Sequence, residues 1–253
     1  MTESINLEHI AIILNRPRHS ENIGAAARAM KNMGIPKLVI VGSTHCDLSK
    51  VLRMATHVAA ELVEQIEFFE NLKEGLEPYH YVVGTTARLG GMRQGIQTPT
   101  AISRNLISLS QTNRIAVLFG PEDKGLSNED LRFCHALVNI PTYGFSSINL
   151  AQAVMIICYE FSVTRSERSE FIPRLASRYE LDAMYEQVKD ILVRINYIHA
   201  ENPDYWMNKI RHFFTRIQLR ASEVSIIRGI CRQINWYEKK CFENGTLHRE
   251  VHQ

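Results

Sequence analysis

For residues 1–164 the chain alternates short β-branched runs with helical patterns, and this alternation admits few folds besides a largely parallel sheet covered on both faces by helices. Strands are expected near His9–Leu14, Leu38–Val41, Tyr81–Gly84, Ile115–Phe119 and Leu137–Ile140. Between the first two, Ser20 or Asn22 can cap a helix through Met33, and Gly34 supplies its left-handed stop ahead of Pro36. Further helices are expected over Leu48–Leu62 and Thr100–Leu109. The segment from Asn149 to Phe161 carries apolar side chains on more than one face, so it should be buried all round, either inside the monomer or at a dimer interface.

The sheet-like alternation stops at the polar stretch Thr164–Ser169, and only helical patterns follow. Two domains are therefore expected, 1–164 and 165–253, the second small and all-helical. Ile210, Phe213, Phe214 and Ile217 share one helical stripe there; Ile227, Ile230, Cys231 and Ile234 share another, which Ser222 can cap. Lys209, Arg216 and Arg220 fall on a common face of the first helix, and Arg228 and Arg232 on one face of the second. Between Met207 and Lys240 the chain holds eight basic and two acidic residues, so the modest overall charge of +2 hides a positive tail suited to phosphate contacts.

Composition narrows the function classes. Hydrophobic residues at 45% and charged residues at 22% fit a globular protein. No apolar run approaches the ~18 residues of a membrane span, and Met1–Asn6 lacks a secretory pattern, so a cytoplasmic location is expected. The five cysteines form no CxxC pair and the ten histidines no HExxH or HxH pattern, so free thiols and no metal are expected.

Three loops follow expected strands at their C-terminal ends, where α/β sheets bind ligands. Asn15 to Gly24 leads into a helix carrying Arg28, one turn beyond Gly24, whose missing side chain leaves room for a ligand. Gly120 to Leu126 mixes turn formers with charge and lacks the Walker spacing of a phosphate loop. Pro141 to Asn149 offers paired serines and an asparagine beside an apolar wall, groups that either hold a polar ligand or cap the following helix. Neither a GxGxxG nor a GxSxG pattern is present, which disfavours nicotinamide-binding, Rossmann methyltransferase and serine-hydrolase readings.

NRPRHSENIGAAARAMKNMG (Asn15–Gly34), FGPEDKGLSNEDL (Phe119–Leu131) and NIPTYGFSSINLAQAV (Asn139–Val154) resemble, in order, the three motifs of the SPOUT methyltransferases of the TrmH-like branch. The tail resembles that of the TrmJ-type tRNA methyltransferases, notably at MNKIRHFFTR (Met207–Arg216) and IIRGI (Ile226–Ile230). The resemblance implies a C-terminal trefoil knot in the catalytic domain, S-adenosylmethionine as cofactor, a homodimer, and ribose 2′-O-methylation at the 5′ edge of the tRNA anticodon loop. It also implies cofactor contacts at Thr85, Thr86, Ala87, Gly120, Ile140, Ser147, Ile148 and Asn149. Arg28 is the expected catalytic residue, holding a phosphate and stabilising the developing alkoxide, because a guanidinium is a poor base. Asn15, Glu122, Ser147 and Asn149 would orient the groups, and Arg88 with Lys209, Arg216, Arg220, Arg228 and Arg232 would hold RNA. After Arg88 the chain runs Leu89-Gly90-Gly91-Met92-Arg93, where related enzymes often place another arginine earlier. Ribosomal RNA as substrate, or a non-catalytic RNA-binding protein on this fold, are the rival readings.

Overall fold

The computed structural model describes residues 3–43, 46–88, 95–143, 148–166, 171–199 and 201–243, apart from the side chains of His212, Arg216, Phe242 and Glu243. Along the first part run β1 (Glu3–Ser4), β2 (Ile10–Asn15), α1 (Ser20–Met33), β3 (Lys37–Val41), α2 (Leu48–Ala55), α3 (Ala60–Glu64) and β4 (Glu67–Phe69). They are followed by α4 (Leu72–Leu76), β5 (Tyr81–Thr85), β6 (Ile96–Gln97), α5 (Pro99–Thr112), β7 (Ile115–Phe119), α6 (Asn128–Leu131), β8 (Ala136–Val138), α7 (Leu150–Val163) and β9 (Arg165–Ser166). Seven strands form one parallel sheet in the order β4-β3-β2-β7-β5-β8-β6, while β1 and β9 make a separate antiparallel pair.

Every residue of β2 is buried, as a central parallel strand covered on both faces requires. Its alternation sorts the core. Ile10, Ile12 and Leu14 pack with Ile23, Ala27 and Met30 of α1, Ile102 and Leu106 of α5 and Val154 and Ile157 of α7. Ala11 and Ile13 point the other way, toward Leu72 and Leu76 of α4 and Leu126. The expected α/β sheet with helices on both faces is present, with the thicker layer on the α1–α5–α7 side.

Several local expectations are corrected. The cap position of α1 is His19, not Ser20 or Asn22: the Ser20 hydroxyl accepts from the Asp47 N–H at 3.0 Å, and the Asn22 amide is engaged elsewhere. Gly24 leaves no space for a ligand, because a Cβ there would lie 2.1 Å from the Val51 carbonyl oxygen; its role is close packing of α1 on α2. The helix expected over Leu48–Leu62 breaks at Thr56, whose φ of 59° no helix accommodates. Burial of α7 is one-sided within the monomer, since Tyr159 and Val163 are exposed and Met155 and Ile156 half-buried. Gly34 does end α1, at φ 76° in the left-handed region. Gly34→Ala is expected to lower stability by about 1 kcal/mol or more, because a Cβ is strained there; a urea midpoint equal to wild type would refute it.

Two compact units divide between Leu175 and Ala176. Beyond the polar stretch at Thr164, β9 pairs with β1, the Thr112 hydroxyl donates to the Ile172 carbonyl at 2.6 Å, and the Leu175 N–H donates to Asn113 Oδ1 at 2.7 Å, so residues up to Leu175 pack with the sheet. The second unit holds α8 (Arg178–Arg194), α9 (Pro203–Ile217) and α10 (Ala221–Glu243) around Leu181, Met184, Tyr185, Ile198, Met207 and Val224. Ser177 and Glu180 form a capping box that starts α8. In place of the expected Ser222 cap, the Glu223 carboxylate accepts the Arg220 N–H at 2.7 Å. The buried line of α10 passes through Val224, Ile227 and Cys231, because α8 packs there, and this leaves Ile230 and Ile234 outside. On α9, Phe213 and Ile217 are likewise exposed. Among the described residues no helix is long and apolar enough to cross a membrane.

Candidate active site

A cavity of about 800 Å³ opens at the C-terminal ends of the adjacent strands β7, β5 and β8. Hydrogen bonds hold the loop after β5 in place: Thr85 Oγ1 donates to the Leu118 carbonyl at 3.1 Å, the Thr86 N–H to the Val138 carbonyl at 2.9 Å, and Asn139 Nδ2 to the Thr86 carbonyl at 2.8 Å. After β7 the chain folds back on itself so tightly that a Cβ on Gly120 would lie 2.3 Å from the backbone of Gly125 and Leu126. Only glycine fits there. Ile140, Ile148, Leu150 and Ala153 supply an apolar wall opposite these backbone groups.

Beside the cavity, Glu122 gathers the other loops. Its carboxylate accepts the Arg18 N–H at 2.9 Å, the His19 N–H at 3.3 Å and Asn22 Nδ2 at 2.8 Å. Asn22 Oδ1 in turn accepts from Asn149 Nδ2 at 3.0 Å, and Asn149 Oδ1 caps α7 by accepting the Ala151 N–H at 2.9 Å. One chain of side chains therefore ties together the three motif segments. Burial pushes the Glu122 carboxyl up, but the bonds from Asn22 and from the Arg18 and His19 N–H groups outweigh that and hold it below its ordinary range. Outer pairs brace the same loops: Arg18 with Asp123 at 2.7 Å, and Arg16 with both oxygens of Asp130 at 2.9 Å.

Thr85, Thr86, Ala87, Gly120, Ile140 and Ile148, each expected at the ligand, all line the cavity together with Glu122. Asn149 stands just behind the wall as the α7 cap. Ser147, like Arg93, lies outside the described residues. Arg88 is on the wall, but its guanidinium is already tied to the carbonyls of Lys124 and Leu126. Asn15 is buried at the end of β2, off the cavity wall, and its Nδ2 has no hydrogen-bond partner among the described residues. Arg28 is exposed on α1 and also off the wall.

In the tail Lys209, Arg220 and Arg232 are exposed, but Arg220 does not share the face of Lys209 and Arg216 as expected, because α9 ends at Ile217 with Gln218 at φ 49° and Arg220 lies in the turn before α10. Arg228 is half-buried with its Nε donating to Gln187 at 3.2 Å, and the Arg216 side chain is outside the described set. Asn22 is the participant that the sequence suggests only as a cap. Its signal lies in the Asn-Ile-Gly run: a polar amide two residues ahead of a packing glycine, inside a helix whose cap position another residue takes.

A parallel sheet with its ligand cavity framed by these three tied loops defines a SPOUT-type methyltransferase fold, and the chain belongs to the SpoU rRNA Methylase family, which matches residues 9–159. Residues 179–245 match the tRNA methyltransferase TrmJ C-terminal domain. The chain is similar to the tRNA (cytidine/uridine-2′-O-)-methyltransferase TrmJ of Sodalis glossinidius, at 32% identity over 92% of this chain and 94% of that one. It is 31% identical to the TrmJ of Escherichia coli K12, over 92% and 98% of the two chains. The crystal structure of TrmJ from Z. mobilis ZM4 superposes with a TM-score of 0.77 at 28% identity, covering 89% of this chain and 98% of that one.

Proposed function

We propose that the chain methylates a ribose 2′-hydroxyl of tRNA, on cytidine or uridine at the 5′ edge of the anticodon loop, with S-adenosylmethionine as donor. The Glu122–Asn22–Asn149 chain carries this reading, because it fixes the three motif loops of a methyltransferase family around one cavity. Similarity to TrmJ enzymes along both units favours tRNA over ribosomal RNA as substrate. The cavity suits the donor in size and in its pairing of backbone polar groups with an apolar wall. When bound, S-adenosylmethionine supplies an electrophilic methyl group on a sulfonium.

Residues of this chain provide the rest. Thr85, Thr86 and Ala87 offer backbone groups to the donor, Ile140 and Ile148 an apolar face, and the Gly120 turn sets the distance between them. Glu122, ionised near neutral pH, orients the motif-one loop, and Asn149 joins that frame through Asn22. Arg28 holds the phosphate beside the target ribose and stabilises the developing alkoxide, with the proton leaving to phosphate or water. An exposed Arg28 off its own cavity suits a homodimer in which it serves a site shared with a second copy. α1 packs between α2 and α7, whose exposed Leu48, Leu52, Tyr159 and Val163 offer such a copy an apolar face. The trefoil passage implied for the catalytic half and a cytoplasmic location belong to the same proposal.

Incubation with labelled S-adenosylmethionine and total RNA, followed by nucleoside mapping, tests the reading. A 2′-O-methyl mark in tRNA is expected; a mark confined to ribosomal RNA, or none, overturns it.

Glu122→Gln should lower cofactor affinity about tenfold or more, since losing charge-assisted bonds loosens the frame by about 1.5–3 kcal/mol. Because the acid's folded value is depressed, its contribution is present at neutral pH and is lost as pH falls through that value. Isothermal titration should show an acid-side decline in wild type that the glutamine variant lacks. The same decline in both would remove Glu122 from this role.

A further inference from the structure

The first turn of α9 presents an arrangement that the cavity does not explain. Asn202 Oδ1 accepts the Tyr205 N–H at 3.3 Å, Pro203 opens the helix, and Asp204 pairs with Lys189 of α8 at 3.0 Å, so this turn is fixed at its cap and its flank. Met207 faces the core of the unit, fully buried, while Tyr205 and Trp206 remain 54% and 40% exposed. Their rings stand edge to face, with centroids 5.7 Å apart at 83°. Lys209 Nζ sits 4.7 Å from the centroid of each ring. The combination recurs on α10, where Lys240 Nζ lies 4.8 Å from the exposed Trp236 ring.

Two exposed aromatic rings around a lysine are a poor match for the core of a protein contact, where lysine is depleted. They match a nucleic acid strand, whose bases have π-faces and whose phosphates take the cation. Charge supports that occupant, since Met207–Lys240 holds eight basic residues against two acidic ones. We propose that Tyr205, Trp206 and Lys209 form a seat for one unpaired base of the RNA substrate: the base stacks on a ring face and Lys209 turns to the neighbouring phosphate. The seat rests on the tRNA methyltransferase reading and adds base stacking to the phosphate contacts expected of the tail.

Trp206 and Trp236 are the two tryptophans of the chain, so the full-length Trp236→Phe protein isolates the indole of the seat. Oligouridine and an unmodified tRNA transcript should each quench its fluorescence saturably. Trp206→Ala and Tyr205→Ala should each weaken tRNA binding by about five- to a hundredfold with an unchanged salt slope, while Trp206→Phe retains most of the affinity. Lys209→Gln should instead lower that slope by about 0.7–0.9.

Absence of quenching together with unchanged affinity in both alanine variants overturns the seat. So does a Trp206→Ala protein that sediments as a monomer where wild type is a dimer yet binds RNA as before, because a second copy would then be the occupant. If wild type methylates tRNA and the alanine variants match its affinity, the seat falls and the transferase reading stands. If wild type shows the quenching and the affinity losses but transfers no methyl group, the transferase reading falls and the seat stands.

Discussion

Arg28→Ala is expected to cut methyl transfer by about 10²–10³-fold while leaving cofactor affinity within about twofold of wild type. The asymmetry follows from position. Arg28 is exposed on α1 and absent from the cavity wall, whereas the residues proposed to hold the donor belong to the loops after β5, β7 and β8. Removing its side chain therefore leaves the Glu122–Asn22–Asn149 frame intact; Asn22 and Arg28 are six positions apart and do not share a helix face. What is lost is a cation for a phosphate and a nascent alkoxide, groups present only with RNA. Arg28→Lys should recover part of the rate, because an ammonium keeps the charge but not the planar fork. Single-turnover transfer to tRNA and titration with cofactor read the two quantities separately. Equal loss of cofactor affinity would place Arg28 in the donor site, and retained turnover would remove it from catalysis.

How far sequence reached depends on the range of the interaction involved. The strand of Ile115–Phe119 was legible because an unbroken apolar run between turn formers has few other solutions, and β7 occupies those very bounds. Gly34 was legible because a left-handed stop is a local backbone event. The break at Thr56 was not: a β-branched residue carries no turn signal, and its φ of 59° is imposed where α2 ends and the chain turns into α3. Gly24 shows a subtler failure. A glycine on a ligand loop reads equally as space for a ligand or as space for a helix, and only the Val51 carbonyl decides between them.

The site divides along the same line. Gly120 and Thr85–Ala87 could be placed because loop ends of a parallel sheet form a ligand cavity, and motif resemblance supplied the register. Asn22 could not, because its importance lies in joining Glu122 to Asn149, partners 100 and 127 positions away. Exposure of Ile230 and Ile234 escaped for a related reason: a helical stripe predicts which residues are apolar, but α8 decides which of two neighbouring lines on α10 is covered.

A chain ending at Leu175 should fold, bind cofactor as wild type does, and lose tRNA affinity by about 10²–10³-fold with a much shallower salt dependence. The cut has to fall there rather than at Thr164. Ending at Thr164 would strip β9 from β1, leave the Thr112 hydroxyl without the Ile172 carbonyl, and deprive Asn113 of the Leu175 N–H. Ending at Leu175 keeps all three, and the bond from the Ala176 N–H to the Leu219 carbonyl that it removes lies wholly inside the second unit. The sheet, the cavity and all three motif segments remain. What leaves is the Met207–Lys240 stretch with its excess of eight basic over two acidic residues, including exposed Lys209, Arg220 and Arg232. Each phosphate deprived of its cation should lower the slope of log affinity against log salt by about 0.7–0.9, so a tail neutralising about four phosphates accounts for a drop near ~3. Filter binding across a salt series, beside thermal unfolding and cofactor titration of the same protein, reads every part of this. Wild-type affinity and slope in the shortened chain would show that the helical unit serves something other than RNA.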